Sequence, residues 1–427
     1  MTVQVIRRGL GGWIDPAAVG RVVARRAGNL LWLDAGPDAR AGTSYIAIES
    51  DPVAHGRLEN RADFDTSGFM PPADAPQGSF PLGLVGWITY EGHSALARVT
   101  SLLEWNHSTG VMTHVYAGDD SARVAVVDSV LAQARDAVAS PGPVAADMPR
   151  HQVVWRHDDA TYGDLVRRAK RHIHDGDVYQ LCLTNMATIS PGLDRDAAMS
   201  VYLRLRAANP SHHGGFMSLG GTMLLSSSPE VFLRVTAQGR AITKPIKGTR
   251  PRGAGADEDE LFRSELADNV KEQAENVMIV DLMRNDLSRV AVTGSVSVDD
   301  LLTVESYANV HQLVSTVSAQ LAPGKTAWDA LAACFPAGSM TGAPKIAAMR
   351  LLAGLEAGER GIYSGAFGFF GSDGSMELAM TIRSLVVTER DIRIGSGGGI
   401  TSDSVPEDEI AEMHLKVAPL LTALGMR

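Results

Sequence analysis

The sequence predicts a protein of mixed class, with both strands and helices, in which the two do not follow a strict alternation. Val231, Leu233 and Val235 alternate with their neighbours in a two-residue period that is typical of a strand. Residues 261–287 form a long run with helical spacing. Because the two kinds of run do not repeat in a βαβ rhythm, we exclude a doubly wound parallel sheet.

The first part of the chain contains strand-like runs separated by loops rich in glycine and proline. The runs are residues 29–33, 43–49, 82–90 and 122–127, and residues 68–81 form one of the loops. Residues 134–152, rich in alanine and proline, predict the end of a helix followed by a linker. We therefore divide the chain into an N-terminal region, 1–150, and a second region, 151–427.

The second region combines helices and strands of ordinary length. The predicted helices are 162–174, with a basic face, 197–208, which ends at Asn209-Pro210, 261–287 and 328–335. The predicted strands are 178–189, 216–226, 362–371 and 378–387. Residues 250–260 are polar and glycine-rich, and they predict a mobile loop.

A β-hairpin is predicted in the middle of this region. Its turn is Gln238-Gly239, because glycine adopts the positive φ that tight turns need. This turn would place Glu230 directly opposite Lys247, and a bulge would shift the register by one residue. The two charges form either a surface ion pair or part of a functional site. Small neighbours whose backbone amides can receive an anion favour a site. They are Ser226, Ser227, Ser228, Gly248 and Thr249.

The composition is that of an ordinary globular protein, with 427 residues, 45% hydrophobic and 21% charged. The net charge of −10 argues against nucleic acid or an anionic membrane as the main partner. Cys182 and Cys334 lie in apolar runs, so we expect two small buried residues and no disulfide. No apolar run reaches the ~18 residues of a membrane span and no signal-peptide core is present, so we expect a cytoplasmic protein.

The last helix has a distinctive pattern. Ser404 and Glu407 predict a capping box, with Pro406 in the first turn. Glycines just before the helix, at 395 and 397–399, let backbone amides approach a carboxylate ligand closely. One face of the helix is apolar, with Ile410, Met413, Val417 and Leu420, and another carries Glu409, Glu412 and Lys416. The charged face is either a solvated surface or a ligand-binding one.

Several segments resemble the chorismate-utilising enzymes, the family of anthranilate synthase component I, aminodeoxychorismate synthase component I, isochorismate synthase and salicylate synthase. They are SSSPE followed by PIKGT, ENVMIVDLMRND, GSMTGAPK, YSGAFG and TIRSL, with a weaker match at LVGWITY. PIKGT, with lysine where anthranilate synthases usually carry alanine, is most similar to aminodeoxychorismate synthase component I. The resemblance implies an α+β four-layer sandwich, in which helices cover two facing β-sheets.

The resemblance also implies a chorismate site that contains Mg²⁺. Lys247 would be the nucleophile and Glu230 the acid, while Glu275 and Glu412, with Glu409 in reserve, would hold the metal through oxygen ligands. The implied substrate contacts are Gly248, Thr249, Gln312, Thr341, Tyr363, Arg383, Gly397, Gly399 and Lys416. Asp281, Asn285 and Asp286 would pack or cap their helix. GSMTGAPK lacks P-loop spacing and would instead shape the pocket.

Two residues depart from patterns within the family. Gln180 occupies the position at which water-using members carry a lysine base, which argues against isochorismate and salicylate synthases. Gln312 replaces the histidine of the segment V-x-H-L and follows His311. Glutamine can donate a hydrogen bond but cannot become charged, so this position cannot supply a cationic imidazole.

The implied reaction is amination of chorismate at C4, through a covalent adduct with Lys247. We expect burial and the cations Lys244 and Arg250 to keep the Lys247 amine neutral. The sequence lacks the Gly-x-Cys-x-Gly setting of a glutamine amidotransferase, so a separate subunit would supply ammonia. The alternatives are anthranilate synthase component I and a non-catalytic chorismate-binding protein. The sequence leaves open whether the pathway is folate or antibiotic synthesis, and whether the N-terminal half binds tryptophan.

Overall fold

The computed structural model describes residues 3–26, 28–66, 69–70, 80, 82–139, 152–307 and 310–426. Most of the predicted loop at 68–81, and the linker within 134–152, lie outside the described residues. The boundary near residue 150 therefore stays a prediction.

The N-terminal region contains eight described strands and two described helices. The strands are β1 (Val3–Leu10), β2 (Leu30–Asp34), β3 (Thr43–Ser50), β4 (Ala54–Arg57), β5 (Phe69–Met70), β6 (Gly83–Ile88), β7 (His93–Asn106) and β8 (Val111–Ala117). The helices are α1 (Pro16–Ala24) and α2 (Ser121–Ala139).

The second region adds the remaining elements. Its strands are β9 (Val153–Trp155), β10 (Gln180–Ile189), β11 (His213–Leu219), β12 (Thr222–Ser228), β13 (Val231–Val235), β14 (Arg240–Thr243), β15 (Ile246–Pro251), β16 (Ser297–Ser306), β17 (Val310–Gln320), β18 (Gly342–Ala343), β19 (Ala366–Gly371), β20 (Met376–Met380), β21 (Ser384–Val387) and β22 (Ile392–Ile400). Its helices are α3 (Asp159–His174), α4 (Arg195–Ala208), α5 (Ala256–Asp268), α6 (Val270–Ser288), α7 (Ala327–Cys334), α8 (Lys345–Leu355) and α9 (Pro406–Ala423).

Several helices begin where a short polar side chain caps the first turn. Asp158 accepts a hydrogen bond from the Thr161 amide at 2.8 Å and starts α3. Asp194 caps α4 in the same way through the Ala197 amide. These side chains satisfy amides that have no partner inside the helix, so they define where each helix begins.

The fold is α+β, as the sequence predicts, and its layers are visible in the packing. One core consists mainly of strand residues that face each other between two sheets, including Leu31, Tyr45, Val85, Leu102, Met217 and Phe367. On one outer side, α1, α2, α3, α4, α8 and α9 cover strands that include β10 and β22. On the other outer side, α6 and α7 cover β13, β14, β17 and β20. Each helix layer therefore buries the outer face of a sheet.

The two regions share their sheets. Strand β2 pairs with β11, with Trp32 opposite Phe216, and β6 pairs with β19, with Trp87 opposite Phe367. The N-terminal strands therefore complete sheets that the second region begins. Within the described part of the chain, no helix is both long and apolar enough to span a membrane.

Some of the predicted elements are wrong. Residues 122–127, predicted as a strand, belong to helix α2, whose residues Val127, Val130, Leu131 and Ala134 pack into the core with helical spacing. The predicted strand 216–226 is two strands, because Gly220 and Gly221 adopt positive φ and turn the chain between them. The short apolar run at 122–127 did not distinguish a strand from a helix.

The predicted helix 261–287 is two helices, and the predicted mobile loop before it is structured. Asn269 ends α5, and its side chain caps α6 by accepting from the Glu272 amide at 3.1 Å. Helix α5 begins within the supposed loop at Ala256. Arg252 and Asp259 form an ion pair at 2.7 Å that joins the preceding strand to this helix. Charge pairing therefore orders a stretch that composition alone marks as flexible.

The predicted hairpin register is also wrong. Val235 pairs with Ala241 and Arg234 with Ile242, one residue away from the predicted alignment, because the turn runs from Thr236 to Arg240. Gly239 does adopt the expected positive φ. Strand β15, which carries Lys247, pairs with β17 and not with β13. Glu230 and Lys247 are therefore not cross-strand partners.

The start of the last helix differs from the prediction as well. The cap residue of α9 is Val405, with no side-chain cap, while Pro406 does occupy the first turn. The Ser404 hydroxyl accepts a hydrogen bond from the Thr401 amide at 3.1 Å, so it closes the preceding turn instead of capping the helix. The apolar face is as predicted at Met413, Val417 and Leu420, which are buried. Ile410 is only partly buried.

Candidate active site

The glycines of β22 lie at the centre of the candidate site. Strand β22 pairs with β10, with Gly397 opposite Thr184 and Gly399 opposite Cys182. A Cβ atom on Gly398 would lie 2.8 Å from Glu409 Oε2 and 3.6 Å from Glu412 Oε1. The absence of a side chain on Gly398 therefore lets the carboxylates of α9 approach the strand backbone.

The next glycine makes room for a second group of side chains. A Cβ atom on Gly399 would overlap Gln180 Nε2 and would lie 3.1 Å from Lys247 Nζ. Gln180 is 1% exposed, and no described residue makes a hydrogen bond to its Oε1 atom. A buried acceptor without a partner is costly, so this atom is suited to bind a ligand.

The ion-pair partner of Lys247 is Glu275 and not Glu230. Lys247 Nζ lies 3.3 Å from Glu275 Oε2, and both side chains are largely buried. Burial, the largest single effect, lowers the pKa of Lys247, but the negative groups around the amine, with Glu275 first among them, together outweigh burial and raise it. The expectation of a neutral amine is therefore wrong for the protein without ligands.

The two cations expected to keep Lys247 neutral are occupied elsewhere. Lys244 Nζ binds Glu305 Oε1 at 2.7 Å, and Arg250 forms an ion pair with Glu265. Because each charge is neutralised by its own carboxylate, neither depresses the pKa of Lys247. The pairings involve residues of β16 and α5, which are distant in sequence from the PIKGT segment.

Glu230 is buried, with 7% of its surface exposed. Burial raises the pKa of its carboxyl to about 7, against the smaller opposing effects of a hydrogen bond from Ser339 and the charge of Lys247. Ser339 Oγ donates this hydrogen bond to Glu230 Oε1 at 3.1 Å. A carboxyl group with this pKa can hold a proton near neutral pH, as a general acid must.

Carboxylates from α6 and α9 approach one another. Burial raises the pKa of Glu272, and the charges of Glu275 and Glu412 raise it further. Burial also raises the pKa of Glu409, with a further contribution from Glu412. Burial would raise the pKa of Glu412, but Lys416 at 2.6 Å lowers it. Mutual repulsion between acids on two helices favours a cation between them.

This donor set fits Mg²⁺ only in part. Among the described residues, no group of three or more His, Cys, Asp or Glu side chains is arranged to hold a metal alone. Glu275 and Glu412 supply oxygen donors, and Mg²⁺ commonly takes one or two carboxylates with water and substrate completing the octahedron. The oxygen chemistry of these donors is therefore that of the metal that the resemblance implies, while the described side chains do not complete its coordination. Sequence reasoning missed Glu272, which lies one helical turn before Glu275.

Arg383 is the candidate anion-binding residue. It adopts φ +51°, a strained conformation for a residue with a side chain, and the residue is partly buried. In the described part of the chain no carboxylate forms an ion pair with its guanidinium, and burial lowers its pKa. Tyr363 lies nearby, 5% exposed, and its ring occupies the space that a side chain on Gly395 would need. The structure therefore brings Arg383 and Tyr363 together.

Other predicted contacts have more structural roles. The Thr341 hydroxyl donates to the Ala337 carbonyl at 3.2 Å, so it stabilises its own turn. Gly248 has φ +80°, and a Cβ there would lie 2.7 Å from Leu266 of α5. Lys416 Nζ donates to the Gly397 carbonyl at 2.7 Å and so ties α9 to β22.

The glutamine that replaces the family histidine lies on β17. Gln312 is 5% exposed and pairs with Thr249 of β15. The adjacent His311 does not substitute for the missing histidine, because its ring lies between Asp259 at 2.9 Å and Ser306 at 2.8 Å. Successive residues of a strand point to opposite faces, so only one of the two can face the site.

The acids at the end of α6 are engaged outside the candidate metal site. Asp286 is buried and binds Lys345 at 2.5 Å, while Asp281 pairs with Arg284 on the exposed helix surface. Asn285 contributes a backbone carbonyl to the Ser288 hydroxyl. These contacts agree with the packing role that the sequence predicts for the three residues.

The sequence is similar to proteins of known family. Residues 31–422 match the family described as chorismate binding enzyme. An aminodeoxychorismate synthase of Streptomyces pristinaespiralis is 38% identical over 96% of this chain and 61% of its own length. Another, from Streptomyces griseus, is 46% identical over 68% of this chain and 40% of its own. This chain therefore spans less than two thirds of either protein.

Anthranilate synthases are comparably similar. Component 1 of Methanothermobacter marburgensis is 40% identical over 90% of this chain and 86% of its own length. Among solved structures, anthranilate synthase component I from Streptococcus pneumoniae has a TM-score of 0.75 at 24% identity, over 97% of this chain and all of its own. The menaquinone-specific isochorismate synthase of Escherichia coli has a TM-score of 0.76 at 18% identity, over 99% of this chain and 94% of its own. At these identities the structural likeness shows the fold.

Proposed function

Because this chain belongs to the chorismate binding enzyme family, we propose that it aminates chorismate at C4 and forms 4-amino-4-deoxychorismate, a precursor of 4-aminobenzoate. The observation that carries the proposal is the position of Lys247. Its amine is largely buried, 3.3 Å from Glu275 and beside the glycines of β22. A lysine amine in this pocket can form a bond to the substrate, which alanine at the same position cannot.

The proposed reaction uses Lys247 and Glu230 in sequence. The neutral Lys247 Nζ forms a bond to C2 of the ring, both conjugated ring double bonds shift by one position, and the C4–O bond breaks as Glu230 protonates the departing hydroxyl to water. Ammonia then adds at C4, both double bonds shift back, and the C2–N bond breaks to release Lys247 as a neutral amine. The new ammonium group at C4 returns a proton to Glu230. The net change is chorismate plus ammonia to aminodeoxychorismate plus water.

The protonation states of these two residues place a condition on the reaction. Lys247 must lose its proton before it attacks, yet Glu275 raises the pKa of the amine in the protein without ligands. Glu230 must keep its proton, and burial raises its pKa to about 7. The reactive form of the pair therefore carries one proton, on Glu230, and the two groups titrate as a coupled unit.

The two carboxylates of chorismate have separate binding groups in this proposal. Arg383 can bind the enolpyruvyl carboxylate through two parallel hydrogen bonds, and Tyr363 beside it can donate a third. Mg²⁺ held by Glu275 and Glu412, with Glu409 in reserve, would neutralise the ring carboxylate and position the ring. The unpartnered Oε1 atom of Gln180 supports binding of a donor in the same pocket.

Ammonia would come from a separate glutamine amidotransferase subunit. The sequence contains no Gly-x-Cys-x-Gly setting for a glutaminase nucleophile, and Cys182 and Cys334 are both buried. We therefore expect the isolated chain to use ammonium salts and to leave glutamine intact. Folate synthesis and an antibiotic pathway are both consistent with this product.

Anthranilate synthesis is the second candidate, since anthranilate synthases are among the similar proteins. It would add ammonia at C2 and release pyruvate. Mass spectrometry of the product from chorismate, Mg²⁺ and ammonium separates the two reactions. We expect aminodeoxychorismate from the wild type, and anthranilate with pyruvate would contradict the proposal. Binding of chorismate without turnover would instead support a non-catalytic role.

Lys247→Ala tests the proposed nucleophile. We expect aminodeoxychorismate formation to fall at least about a thousandfold, or ~4 kcal/mol in the barrier, because no adduct can form. A trace of anthranilate is expected, as ammonia is left to attack C2 directly. Intact-protein mass spectrometry of the wild type with chorismate and no ammonia should show an adduct at Lys247. Lys244→Ala is the matched control, and an undiminished rate in Lys247→Ala would overturn the assignment.

Glu275→Gln and Glu412→Gln test the proposed metal ligands. Each variant should bind Mg²⁺ at least about tenfold more weakly in calorimetric titrations, because it loses a charged oxygen donor. Circular dichroism should show an intact fold, since glutamine is nearly isosteric with glutamate. Asp281→Asn, on the exposed surface of α6, is the control. Unchanged Mg²⁺ affinity in either glutamate variant would remove that residue from the metal site.

A further inference from the structure

Glu230 has one hydrogen-bond partner for its carboxyl group among the described residues. Ser339 Oγ donates to Glu230 Oε1 at 3.1 Å, although the two residues are 109 positions apart in the chain. Glu230 is 7% exposed, and none of the described cations forms an ion pair with it. The orientation of this buried carboxyl group therefore depends on a single hydroxyl group.

The turn that carries Ser339 is firmly held. Within the turn the Met340 amide donates to the Ala337 carbonyl at 3.0 Å, and the Thr341 hydroxyl donates to the same carbonyl at 3.2 Å. Outside it, Arg360 Nη1 donates to the Met340 carbonyl at 2.6 Å. The backbone on both sides of Ser339 is thus fixed, so its hydroxyl is presented to Glu230 from a rigid support.

We propose that Ser339 is a positioning residue for Glu230, holding Oε1 so that Oε2 is free to give its proton to the substrate hydroxyl. Ser339 touches no reacting atom in this arrangement and acts only through the glutamate. The inference rests on the proposed function, in which Glu230 is the acid that protonates the leaving hydroxyl.

The hydroxyl also sets how readily the acid gives up its proton. A hydrogen bond to a carboxylate is stronger than one to a neutral carboxyl group, so Ser339 favours the ionised form. Burial opposes this effect and brings the pKa to about 7. Lys247 of β15 is the charged side chain that acts on Glu230, and Lys247 is itself paired with Glu275 of α6. Removing the serine hydroxyl must therefore raise the pKa of Glu230.

Infrared difference spectroscopy between pH 5 and pH 9 can read this pKa without any reaction. We expect the wild type to lose a protonated-carboxyl band near pH 7, and Glu230→Gln to lack that band. In Ser339→Ala the midpoint should rise by about one pH unit, the effect of a lost hydrogen bond to a charged group. Ser339→Thr keeps the hydroxyl and should keep the midpoint of the wild type.

Two further variants separate this role from a merely structural one. Thr341→Val loosens the same turn but leaves the serine hydroxyl, so the midpoint should not move. Ser339→Cys nearly preserves the size of the side chain but has a weaker hydrogen-bond donor, so the midpoint of the Glu230 titration should also rise. This variant replaces Ser339→Ala in the test if the alanine variant fails to fold. An unmoved midpoint in the folded alanine or cysteine variant, or an equal rise in Thr341→Val, would overturn the proposal.

Kinetics with chorismate and ammonium then tests the positioning itself, with un-ionised ammonia held constant at each pH. For Ser339→Ala we expect the apparent pKa near 7 in the pH profile of kcat/KM to shift upward by the same amount, about one pH unit. We also expect kcat to be about tenfold lower than in the wild type and KM to be within about twofold of it. Ser339→Thr should restore the profile. A normal kcat and an unmoved apparent pKa in Ser339→Ala would refute the inference. A product other than aminodeoxychorismate would refute the proposed function alone, because the infrared midpoint does not depend on the product.

Discussion

At the scale of single residues, burial decides the chemistry of the proposed acid. A glutamate in water titrates near its ordinary value of 4.5, whereas burial raises the pKa of Glu230 to about 7. The folded protein therefore holds an acid that ionises only with difficulty. A buried carboxyl group of this kind destabilises the fold at any pH at which it must be ionised. Residues with a strongly shifted pKa are often found at functional sites.

The same shift predicts how stability depends on pH. Because the folded pKa of Glu230 is the higher one, its contribution is fully present below the unfolded value of 4.5 and is lost as pH rises through about 7. The difference of about 2.5 pH units corresponds to about 3 kcal/mol. Glu230→Gln cannot ionise, so we expect it to unfold at higher urea concentration than the wild type at pH 8, with the advantage shrinking toward pH 5.

The exposed Glu260 provides the matched control for this prediction. Glu260→Gln removes an exposed carboxylate that pairs with Arg263 and accepts a hydrogen bond from the Ser264 hydroxyl on the surface of α5. Its difference from the wild type should be within about 0.5 kcal/mol at both pH values. A Glu230→Gln variant that is less stable than the wild type at pH 8 would show that the glutamate is stabilised in its ionised form.

Lys247 shows the opposite balance at the residue scale. The effect of its burial is outweighed by several negative groups together, of which Glu275 at 3.3 Å has the largest effect, so the pKa of the amine rises in spite of desolvation. The residue type and the PIKGT setting were recognisable from the sequence. The identity of its partner was not, because Glu275 is 28 residues away on a different element.

At the scale of elements, two glycines of β22, Gly398 and Gly399, organise the site because they lack side chains. They admit Glu409 and Glu412 at Gly398, and Gln180 and Lys247 at Gly399. Because the side chains admitted there are flexible at their ends, a new methyl group would displace them and leave the strand itself in place. The glycine-rich pattern therefore has a packing explanation at each of these two positions.

Gly399→Ala tests this role of the strand. The new Cβ would overlap Gln180 Nε2 and crowd Lys247 Nζ, so we expect chorismate amination to fall at least about a hundredfold. The melting temperature should change by only a few degrees, since side-chain ends can move aside. Gly354→Ala in α8 is the control, because no atom lies within 4 Å of its new Cβ. Full activity in Gly399→Ala would contradict this account of β22.

At the scale of the whole molecule, a buried ion pair links the candidate site to the layers around it. Arg360 Nη2 binds Glu356 Oε1 at 2.6 Å and the Cys182 carbonyl of β10 at 2.8 Å. Glu356 Oε1 in turn accepts from the Thr184 amide at 2.9 Å. Both charged side chains are almost fully buried. This network fixes β10 against the end of α8 and the turn of Ser339.

Glu356→Gln should therefore destabilise the entire fold. It leaves the Arg360 charge buried without its counterion, and breaking such a pair typically costs about 3 kcal/mol or more. We expect a lower midpoint in urea unfolding, followed by fluorescence and circular dichroism together. Asp281→Asn breaks an exposed pair with Arg284 and should cost less than about 0.5 kcal/mol. A loss that small in Glu356→Gln would show that the network is not important for stability.

The sequence by itself predicted many strands and helices of the second region, and its motifs proposed the residues of the site and, through the family resemblance, implied the α+β class. These follow from local information: a two-residue or helical period, a glycine run, and motifs such as PIKGT whose residues are adjacent in the chain. Gly239 illustrates the limit of that information. Its positive φ was predictable, whereas the register of the hairpin around it was wrong by one residue.

The tertiary structure alone decided which charged groups meet and which remain without a partner. Lys247 pairs with Glu275 and not with Glu230, Lys244 is neutralised by Glu305, and Arg383 is left without a carboxylate among the described residues. Partner choice of this kind depends on how β15, β16, α6 and β22 pack, and each element is distant from the others in the chain. Because Coulomb energies and desolvation depend on those distances and on burial, no local pattern in the sequence contains them.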